Sequence, residues 1–204
     1  MLEIGVLGST KGSDLPAIIK SVEKGKLKNL ARIAVVMSDK KDSGILKKAE
    51  DYGIENYYLD PKGIERTNYD KKISEILDKH NTQLVALMGY MRLFSDWFVR
   101  KYKNKIMNIH PSLLPSFPGM DENVHKEVLE YGCKVSGCTL FFVDEGKDTG
   151  PIIAQKVVSV YGYDNIDTLK ARVQKAEQEI YPKAIKLYAL EKLKIKGRKV
   201  TGFK

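Results

Sequence analysis

The sequence predicts an α/β fold in which a mostly parallel, twisted sheet is flanked by helices and gains antiparallel strands in its C-terminal half. Three observations support this prediction. In the first half, apolar segments of strand length alternate with segments whose apolar residues recur at helical spacing. The strand-like segments are continuously apolar, which is typical of parallel strands covered on both faces. After residue 110, two strand-like segments follow each other across a short loop, which indicates antiparallel pairing. The predicted architecture is Rossmann-like.

The elements of the first half follow from the apolar pattern and from the residues that begin or end each segment. The first strand, LEIGVLG, ends at a glycine, and the next helix has Asp14 as its N-cap and Pro16 in its first turn. A second helix ends at Gly53, and a third is expected to end near Asn81. The other strands up to residue 110 are ARIAVVMS (31–38), NYYLD (56–60), QLVALMG (83–89) and KIMNIH (105–110).

The second half is predicted to add two strands and a long helix. The antiparallel strands are SGCTLFFVDE (136–145) and PIIAQKVVSV (151–160). Between KIMNIH and these strands, ENVHKEVLEYG predicts an exposed helix that carries His125. The long helix begins near Ile166, and we expect Pro182 to kink or restart it. Its inward stripe comprises Ile166, Leu169, Val173, Ala176 and Ile180.

Length and composition indicate a single domain. The 204 residues are 43% hydrophobic and contain neither a low-complexity linker nor an internal repeat. We therefore expect one domain over residues 1–204, made of a first half (1–100) and a second half (101–204). No segment approaches the roughly 20 apolar residues of a membrane span, and the N-terminus has no basic region or cleavage site. These features predict a cytoplasmic protein that does not bind membranes.

The net charge of +9 raises the question of nucleic acid as a partner. The lysines are spread along the chain, and only the tail KLKIKGRKVTGFK concentrates them, without interleaved stacking aromatics. The charge therefore favours solubility and the attraction of small anions, and no nucleic acid partner is expected. A non-catalytic basic module that binds RNA or phosphate is the distant alternative.

The segment GSTKGSDL (8–15) joins the first strand to the first helix. Its glycines let backbone amides turn outward, and the helix N-terminus adds positive potential, so this junction suits a phosphate. It matches neither the Walker A pattern nor the dinucleotide-binding G-x-G-x-x-G pattern. From these residues alone, a phosphate site and a plain tight turn both stay open.

Asn108 and His110 lie two residues apart at the end of a predicted strand. Side chains two apart share one face of a strand, and ligands collect at the carboxyl ends of parallel strands. Three prolines in PSLLPSFPG stiffen the loop that follows. Asp148, in the loop DEGKDTGP (144–151), is the candidate carboxylate for orienting the imidazole. The three histidines of the chain are isolated from one another, so no metal site is predicted.

Five segments, taken together, resemble one known family. They are GSTKGSDL, MGYMRLF (88–94), NIHPSLLPSFPG (108–119), DEGKDTGPII (144–153) and ARVQKAEQEIYP (171–182). Their order and spacing resemble those of the phosphoribosylglycinamide (glycinamide ribonucleotide) formyltransferases, within the folate-dependent formyltransferase superfamily. The resemblance implies transfer of a formyl group from 10-formyltetrahydrofolate, the cosubstrate, to the glycyl amine of glycinamide ribonucleotide in purine biosynthesis. It implies no metal.

The resemblance also implies roles for individual residues. The family's catalytic trio matches Asn108, His110 and Asp148. Binding of the ribonucleotide would use Gly12, Ser13 and Asp14 for the phosphate, and Glu177 near the amine. Binding of the folate would use Arg66, Met91, Arg92, Leu93 and Phe94. The first half would thus bind the phosphate, and the second half would complete the folate-binding and catalytic residues.

Two positions depart from the family pattern. Asp14 stands where asparagine is usual, and we expect it to face away from the phosphate as the helix cap. Phe141 stands where relatives have histidine. The nearest alternative activities are hydrolysis of 10-formyltetrahydrofolate and formylation of another amine. The protein is expected to act on small molecules as a monomer or a homodimer.

Overall fold

The computed structural model describes residues 1–119 and 121–203, and the chain divides into two compact units, Met1–Asn108 and Ile109–Lys204. The first unit has parallel strands alternating with helices, and the second has mostly antiparallel strands with two helices. The predicted fold class is therefore confirmed. A single domain over residues 1–204, with halves meeting at residue 100, stays a prediction.

The first unit alternates strand and helix throughout. Its strands are β1 (Leu2–Leu7), β2 (Ala31–Ser38), β3 (Asn56–Tyr58), β4 (Leu84–Leu87) and β5 (Ile106–His110), whose last two residues lie beyond the unit boundary. Its helices are α1 (Leu15–Lys24), α2 (Gly44–Asp51), α3 (Arg66–Lys79) and α4 (Asp96–Lys101). The strand order is β3-β2-β1-β4-β5, with every neighbouring pair parallel. The segments that follow these strands therefore share one edge of the sheet.

Helix α4 was not predicted from the sequence. Ser95 caps this helix, because its Oγ accepts a hydrogen bond from Phe98 N at 3.4 Å, and Phe98 and Val99 are buried. The helix has only six residues. It is too short to show a helical period, so the cap was its main sequence signal.

The second unit contains the elements that follow β5. Its strands are β6 (Val135–Phe142), β7 (Ile152–Ser159), β8 (Lys194–Lys196) and β9 (Lys199–Thr201), and its helices are α5 (Asp121–Tyr131) and α6 (Ile166–Ala189). Strands β6 and β7 pair antiparallel, as predicted. Strands β8 and β9 form an unpredicted hairpin whose only apolar pair is Ile195 opposite Val200. No helix in the described ranges combines the length and apolar character needed to cross a membrane.

Helix α6 corrects two predictions. Ile166 is 43% exposed and does not belong to the buried stripe, although Leu169, Val173, Ala176 and Ile180 are buried as predicted. The first turn is held instead by a capping box between Asn165 and Thr168, so it does not require burial of Ile166. Pro182 does not restart the helix, which runs unbroken through that position. Burial on both sides of Pro182 offsets the cost of a proline inside a helix.

Helix α5 corrects a third prediction, because His125 is not on an exposed helix face. His125 is 4% exposed, and its neighbours Val124 and Val128 are buried as well. These three residues lie within one turn and pack one face of α5 inward. The lysine and glutamates around them had suggested a solvated helix.

Candidate active site

The loop between β1 and α1 is tightly shaped around Gly12. This residue has φ +58°, and a Cβ atom there would lie 2.5 Å from Ile45 Cγ1, so only glycine fits. The carbonyl of Thr10 accepts a hydrogen bond from Ile45 N at 3.1 Å. Within the described chain, the backbone N–H groups of Thr10, Lys11 and Gly12 donate to no protein acceptor. Donors of this kind beside a helix N-terminus suit an anion.

Asp14 occupies the N-cap position of α1, but its side chain does not cap the described helix. Its backbone is helical (φ −88°, ψ −20°), whereas a side-chain cap needs an extended residue. The predicted N-cap position of Asp14 is therefore confirmed, but its side chain makes no capping hydrogen bond in the described helix. The backbone carbonyl of Asp14 accepts from Ala17 N at 3.1 Å and Ile18 N at 3.3 Å, and the residue is buried.

Asn108 and His110 lie on β5 with one residue between them, as predicted. Asn108 is half-buried and opposite Leu87, the last residue of β4. His110 is only 2% exposed, and its Nε2 donates a hydrogen bond to the Phe117 carbonyl at 2.8 Å. A carbonyl oxygen can only accept, so Nε2 carries the hydrogen of this bond. The ring is thus held by the loop that follows it.

A network of buried hydrogen bonds fixes that loop, in addition to its prolines. Thr139 on β6 is its centre: Thr139 Oγ1 donates to Ser112 O at 2.7 Å and accepts from Leu114 N at 2.9 Å. Gln155 on β7 donates from Nε2 to Leu114 O at 2.9 Å and to Thr139 Oγ1 at 3.0 Å. Two strands distant in sequence therefore hold the loop that positions His110. Neither Thr139 nor Gln155 was predicted from the sequence to act on this loop.

Asp148 lies in a loop with a constrained backbone. It is half-buried and has φ +55°, a conformation uncommon outside glycine. Asp144 closes the loop by accepting from Gly146 N at 3.1 Å and from Thr149 Oγ1 at 2.7 Å. A Cβ atom at Gly150 would lie 1.7 Å from Phe142 O, so glycine is required there. The pairing of Asp148 with His110 stays a prediction.

The predicted folate segment follows β4 and is fixed at several points. Met91 N donates to Ser9 Oγ at 2.9 Å. The guanidinium of Arg92 lies over the Tyr69 ring, 4.7 Å from its centroid. Phe94 is part of an aromatic stack, whereas Leu93 is 60% exposed.

Arg66 and Arg92, the two predicted folate-binding arginines, act on a common carboxylate, that of Asp70. Asp70 is 2% exposed and accepts a hydrogen bond from Ser95 N at 2.6 Å. Burial raises the pKa of Asp70, while the Ser95 bond and the positive charges of Arg92 and Arg66 oppose this shift. The sequence analysis missed Asp70, although its position four residues after Arg66 on α3 places the two on one helix face.

Glu177 lies on the buried face of α6 and is 6% exposed. Acidic residues are rarely buried unless they interact with a partner or a ligand, so its position is compatible with a binding role. It belongs to the second unit, whereas Gly12, Ser13 and Asp14 belong to the first. Phe141, also in the second unit, is buried within β6 and packs as an apolar residue.

His125 lies near His110, a proximity that the sequence analysis did not predict. Burial lowers the pKa of His125 to about 4, and the positive charges of Lys170 and His110 act in the same direction. The imidazole of His125 is therefore neutral at neutral pH. Its buried neighbours Val124 and Val128, at helical spacing, were the available sequence signal.

Two other features bear on the location of the site. Among residues 1–119 and 121–203, no group of three or more His, Cys, Asp or Glu side chains is arranged to hold a metal ion. An open, polar cleft of about 360 Å³ in the first unit is lined by residues that include Arg32, Lys79 and His80. None of the predicted site residues lines this cleft, so we do not assign it as the active site.

Comparison with known proteins gives matches along nearly the whole chain. Residues 2–185 match the family described as formyl transferase. Phosphoribosylglycinamide formyltransferase of Bacillus subtilis (strain 168) is 38% identical over 187 residues, which are 91% of this chain and 94% of that protein. The trifunctional purine biosynthetic protein adenosine-3 of Gallus gallus is 42% identical over 189 residues, 92% of this chain. The match spans only 18% of that longer relative.

The solved structures agree with the sequence matches. The crystal structure of glycinamide ribonucleotide transformylase 1 from Symbiobacterium toebii superposes with a TM-score of 0.94 at 41% identity. The superposition covers 100% of this chain and 95% of that one. The resemblance noted in the sequence is therefore confirmed, and the chain belongs to the formyl transferase family.

Proposed function

We propose that the protein transfers a formyl group from 10-formyltetrahydrofolate to the amine of glycinamide ribonucleotide, a step of purine biosynthesis. The observation that carries this proposal is the nearly full-length match to a relative named for this activity, over 91% of this chain and 94% of that relative. The residues proposed for the chemistry are present in this chain, on β5 and in the loop after β6. The family match supports the folate as formyl donor.

The ribonucleotide phosphate is proposed to bind the loop after β1, at Gly12, Ser13 and Asp14. The N–H groups of Thr10, Lys11 and Gly12, which have no acceptor in the described chain, support this assignment. The N-terminus of α1 adds a favourable dipole. Glu177 is proposed to approach the amine of the substrate, for which a buried carboxylate provides a strong hydrogen-bond acceptor.

The nucleophile of this reaction is the amine of the substrate, so the protein supplies no covalent nucleophile. Attack on the formyl carbon gives a tetrahedral adduct with a negatively charged oxygen. We propose that Asn108 and His110 each donate a hydrogen bond to this oxygen. Removal of one such donor typically raises the barrier by about 2.7–4 kcal/mol.

Asp148 is proposed to stabilise the protonated imidazole and to relay the proton of the amine toward the departing folate nitrogen. An imidazolium has only two N–H groups, and Nε2 already donates one hydrogen bond to the Phe117 carbonyl. Bonds to the oxyanion and to Asp148 together require both N–H groups. We therefore propose that the Phe117 carbonyl releases His110 when the substrates bind.

The decisive experiment is a coupled pair of assays on the purified protein. Incubation with both substrates should release tetrahydrofolate at the rate at which formylated ribonucleotide forms. Incubation with 10-formyltetrahydrofolate alone should release little. Folate turnover that is independent of the ribonucleotide would instead identify a hydrolase, and turnover only with another amine would change the acceptor.

A further inference from the structure

The β8–β9 hairpin of the second unit carries an unusual concentration of positive charge. Residues 192–199 contain five Lys or Arg and no acidic residue, and all five are exposed. None of the five makes a hydrogen bond or an ion pair through its side chain with another residue of the described chain. The fold therefore gives these charges no partner.

Three of these residues share one face of the hairpin. Lys194 and Lys196 alternate along β8, and Lys196 lies directly opposite Lys199 of β9. Opposite residues of an antiparallel pair have Cβ atoms about 4.5–5.5 Å apart, and residues two apart along a strand lie about 6.8 Å apart. We call the surface formed by these three residues the lysine face. Because like charges directly opposite each other destabilise a hairpin, this arrangement costs free energy unless an anion binds.

Protection of a sheet edge explains only part of the lysine face. Strand β8 is the last strand of the sheet, and in the described chain no strand lies beyond it. Lysines on such an edge strand hinder unwanted pairing with other chains. Lys199, however, lies on β9, which pairs with β7 on one side and with β8 on the other. A lysine at this inner position, opposite another lysine, does not protect the edge and indicates an anionic partner.

We propose that the lysine face and the outer edge of β8 bind an extended, acidic segment of another protein, which adds to the sheet as a further strand. An unpaired edge offers backbone N–H and C=O groups that a polypeptide strand can satisfy. Side chains alternate with a period of two, so acidic residues at every second position of that strand would lie on the same face as Lys194 and Lys196. This interaction is independent of the proposed formyl transfer.

A polynucleotide fits this surface less well than an acidic polypeptide. Proteins that bind single-stranded nucleic acid combine positive charge with aromatic rings on which the bases stack. The only aromatic residue among residues 190–203 is Phe203. Lys183 Nζ lies over its ring, 4.7 Å from the centroid, and covers one side of it. The hairpin thus offers charge and a backbone edge without a stacking surface.

The test measures the binding of a labelled synthetic peptide of Glu-Thr repeats, which places all its glutamates on one face of a strand. Fluorescence anisotropy at physiological salt gives the Kd for the wild type and for a triple variant that removes the lysine face. Its substitutions are Lys194→Gln, Lys196→Gln and Lys199→Gln. A second peptide of Glu-Pro repeats keeps the glutamate spacing but cannot pair as a strand, because proline lacks the backbone N–H.

The matched control removes three exposed lysines of the first unit and lowers the net charge equally. Its substitutions are Lys24→Gln, Lys71→Gln and Lys72→Gln. Single-stranded poly(U) RNA is titrated in parallel with all three proteins. Thermal denaturation without peptide gives the Tm of each protein.

Loss of the lysine face should weaken binding of the Glu-Thr peptide about tenfold, the combined effect of three exposed ion pairs. The control variant should bind within about twofold of the wild type, because salt screens distant charges. The wild type should bind the Glu-Pro peptide more weakly than the Glu-Thr peptide. The Tm of the lysine-face variant should equal or exceed that of the wild type, since the repulsion between Lys196 and Lys199 is removed.

Several results would each overturn the inference. Absence of binding to the Glu-Thr peptide up to about 1 mM would show that the edge accepts no acidic strand. Equal losses in the two variants would show that only the net charge matters, and equal affinity for the Glu-Pro peptide would show that no strand is added. A Tm of the lysine-face variant below that of the wild type would show that the lysines serve the fold. Tighter binding of poly(U), lost in the same variant, would assign the surface to nucleic acid instead.

Discussion

Replacement of Thr139 by valine tests whether the hydrogen-bond network around the loop after β5 positions His110. Valine has nearly the same shape as threonine, so the change removes one hydroxyl and little else. That hydroxyl bonds Ser112 O at 2.7 Å and Leu114 N at 2.9 Å, and Thr139 is fully buried. The substitution therefore takes this partner from one backbone carbonyl and one backbone N–H in the protein interior. It also removes the bond from Gln155 Nε2 at 3.0 Å, but that amide keeps its bond to Leu114 O.

The size of the effect follows from these two groups. Each unsatisfied buried group costs about 1–3 kcal/mol, so for the two groups we expect a loss of roughly 2–6 kcal/mol in the free energy of unfolding. For a protein of this size, at about 2–4 °C per kcal/mol, that corresponds to a drop in Tm of roughly 4–24 °C. The turnover number should fall as well, because the same loop carries the Phe117 carbonyl that holds His110.

The matched control is Thr201→Val, the same substitution at an exposed position of β9. It should change the free energy of unfolding by no more than about 0.5 kcal/mol. Thermal denaturation and the formyl-transfer assay are measured on all three proteins. A fall in Tm of less than about 1 °C for Thr139→Val would correspond to less than about 0.5 kcal/mol. That result would show that the network does not restrain the loop.

Three further predictions concern the catalytic carboxylate, the buried histidine and the phosphate loop. Asp148→Asn should lower kcat at least about a hundredfold with little change in KM, and near wild-type turnover would count against its proposed role. The pKa of His125 is about 4, against an ordinary value of 6.5, so the unfolded chain binds the extra proton first as pH falls. The stability that neutral His125 contributes is thus complete above pH 6.5 and is lost progressively as pH falls from 6.5 to 4. The total loss in the free energy of unfolding is on the order of 3 kcal/mol. Urea unfolding of His125→Gln across this range should show a shallower pH dependence than that of the wild type. Gly12→Ala should raise the KM for the ribonucleotide and lower Tm more than Gly53→Ala, because both glycines have positive φ but only Gly12 would contact Ile45.

The sequence predicted the architecture of the first unit well because its pattern is local. Continuous apolar segments mark β1, β2 and β4, glycines follow β1 and β4, and the helices between the strands have visible starts and stops. The errors occurred where tertiary packing outweighs local pattern. Pro182 sits inside a continuous helix because residues on both sides of it are buried, and His125 is buried by contacts that its charged neighbours do not reveal.

The candidate site was predictable only in part, for a similar reason. Asn108 and His110 share a strand, so their spacing alone placed them together. Thr139 and Gln155 act on the same loop from 25 and 41 residues away from Leu114. Nothing in a single sequence marks a threonine in an apolar strand as the centre of such a network, since threonine is common in strands.

Phe117 connects the loop network to the chemistry. It has φ +49°, a left-handed conformation that costs a non-glycine residue about 1–2 kcal/mol, and its carbonyl accepts from His110 at 2.8 Å and from Ser112 Oγ at 3.3 Å. The loop is thus held in a strained form in which the Phe117 carbonyl bonds the imidazole. Because His110 needs both of its N–H groups for the proposed reaction, the Phe117 bond is released when the substrates bind, and the freed N–H bonds the oxygen as charge develops on it. A bond made only at that stage favours the transition state over the ground state, which is the condition for raising kcat.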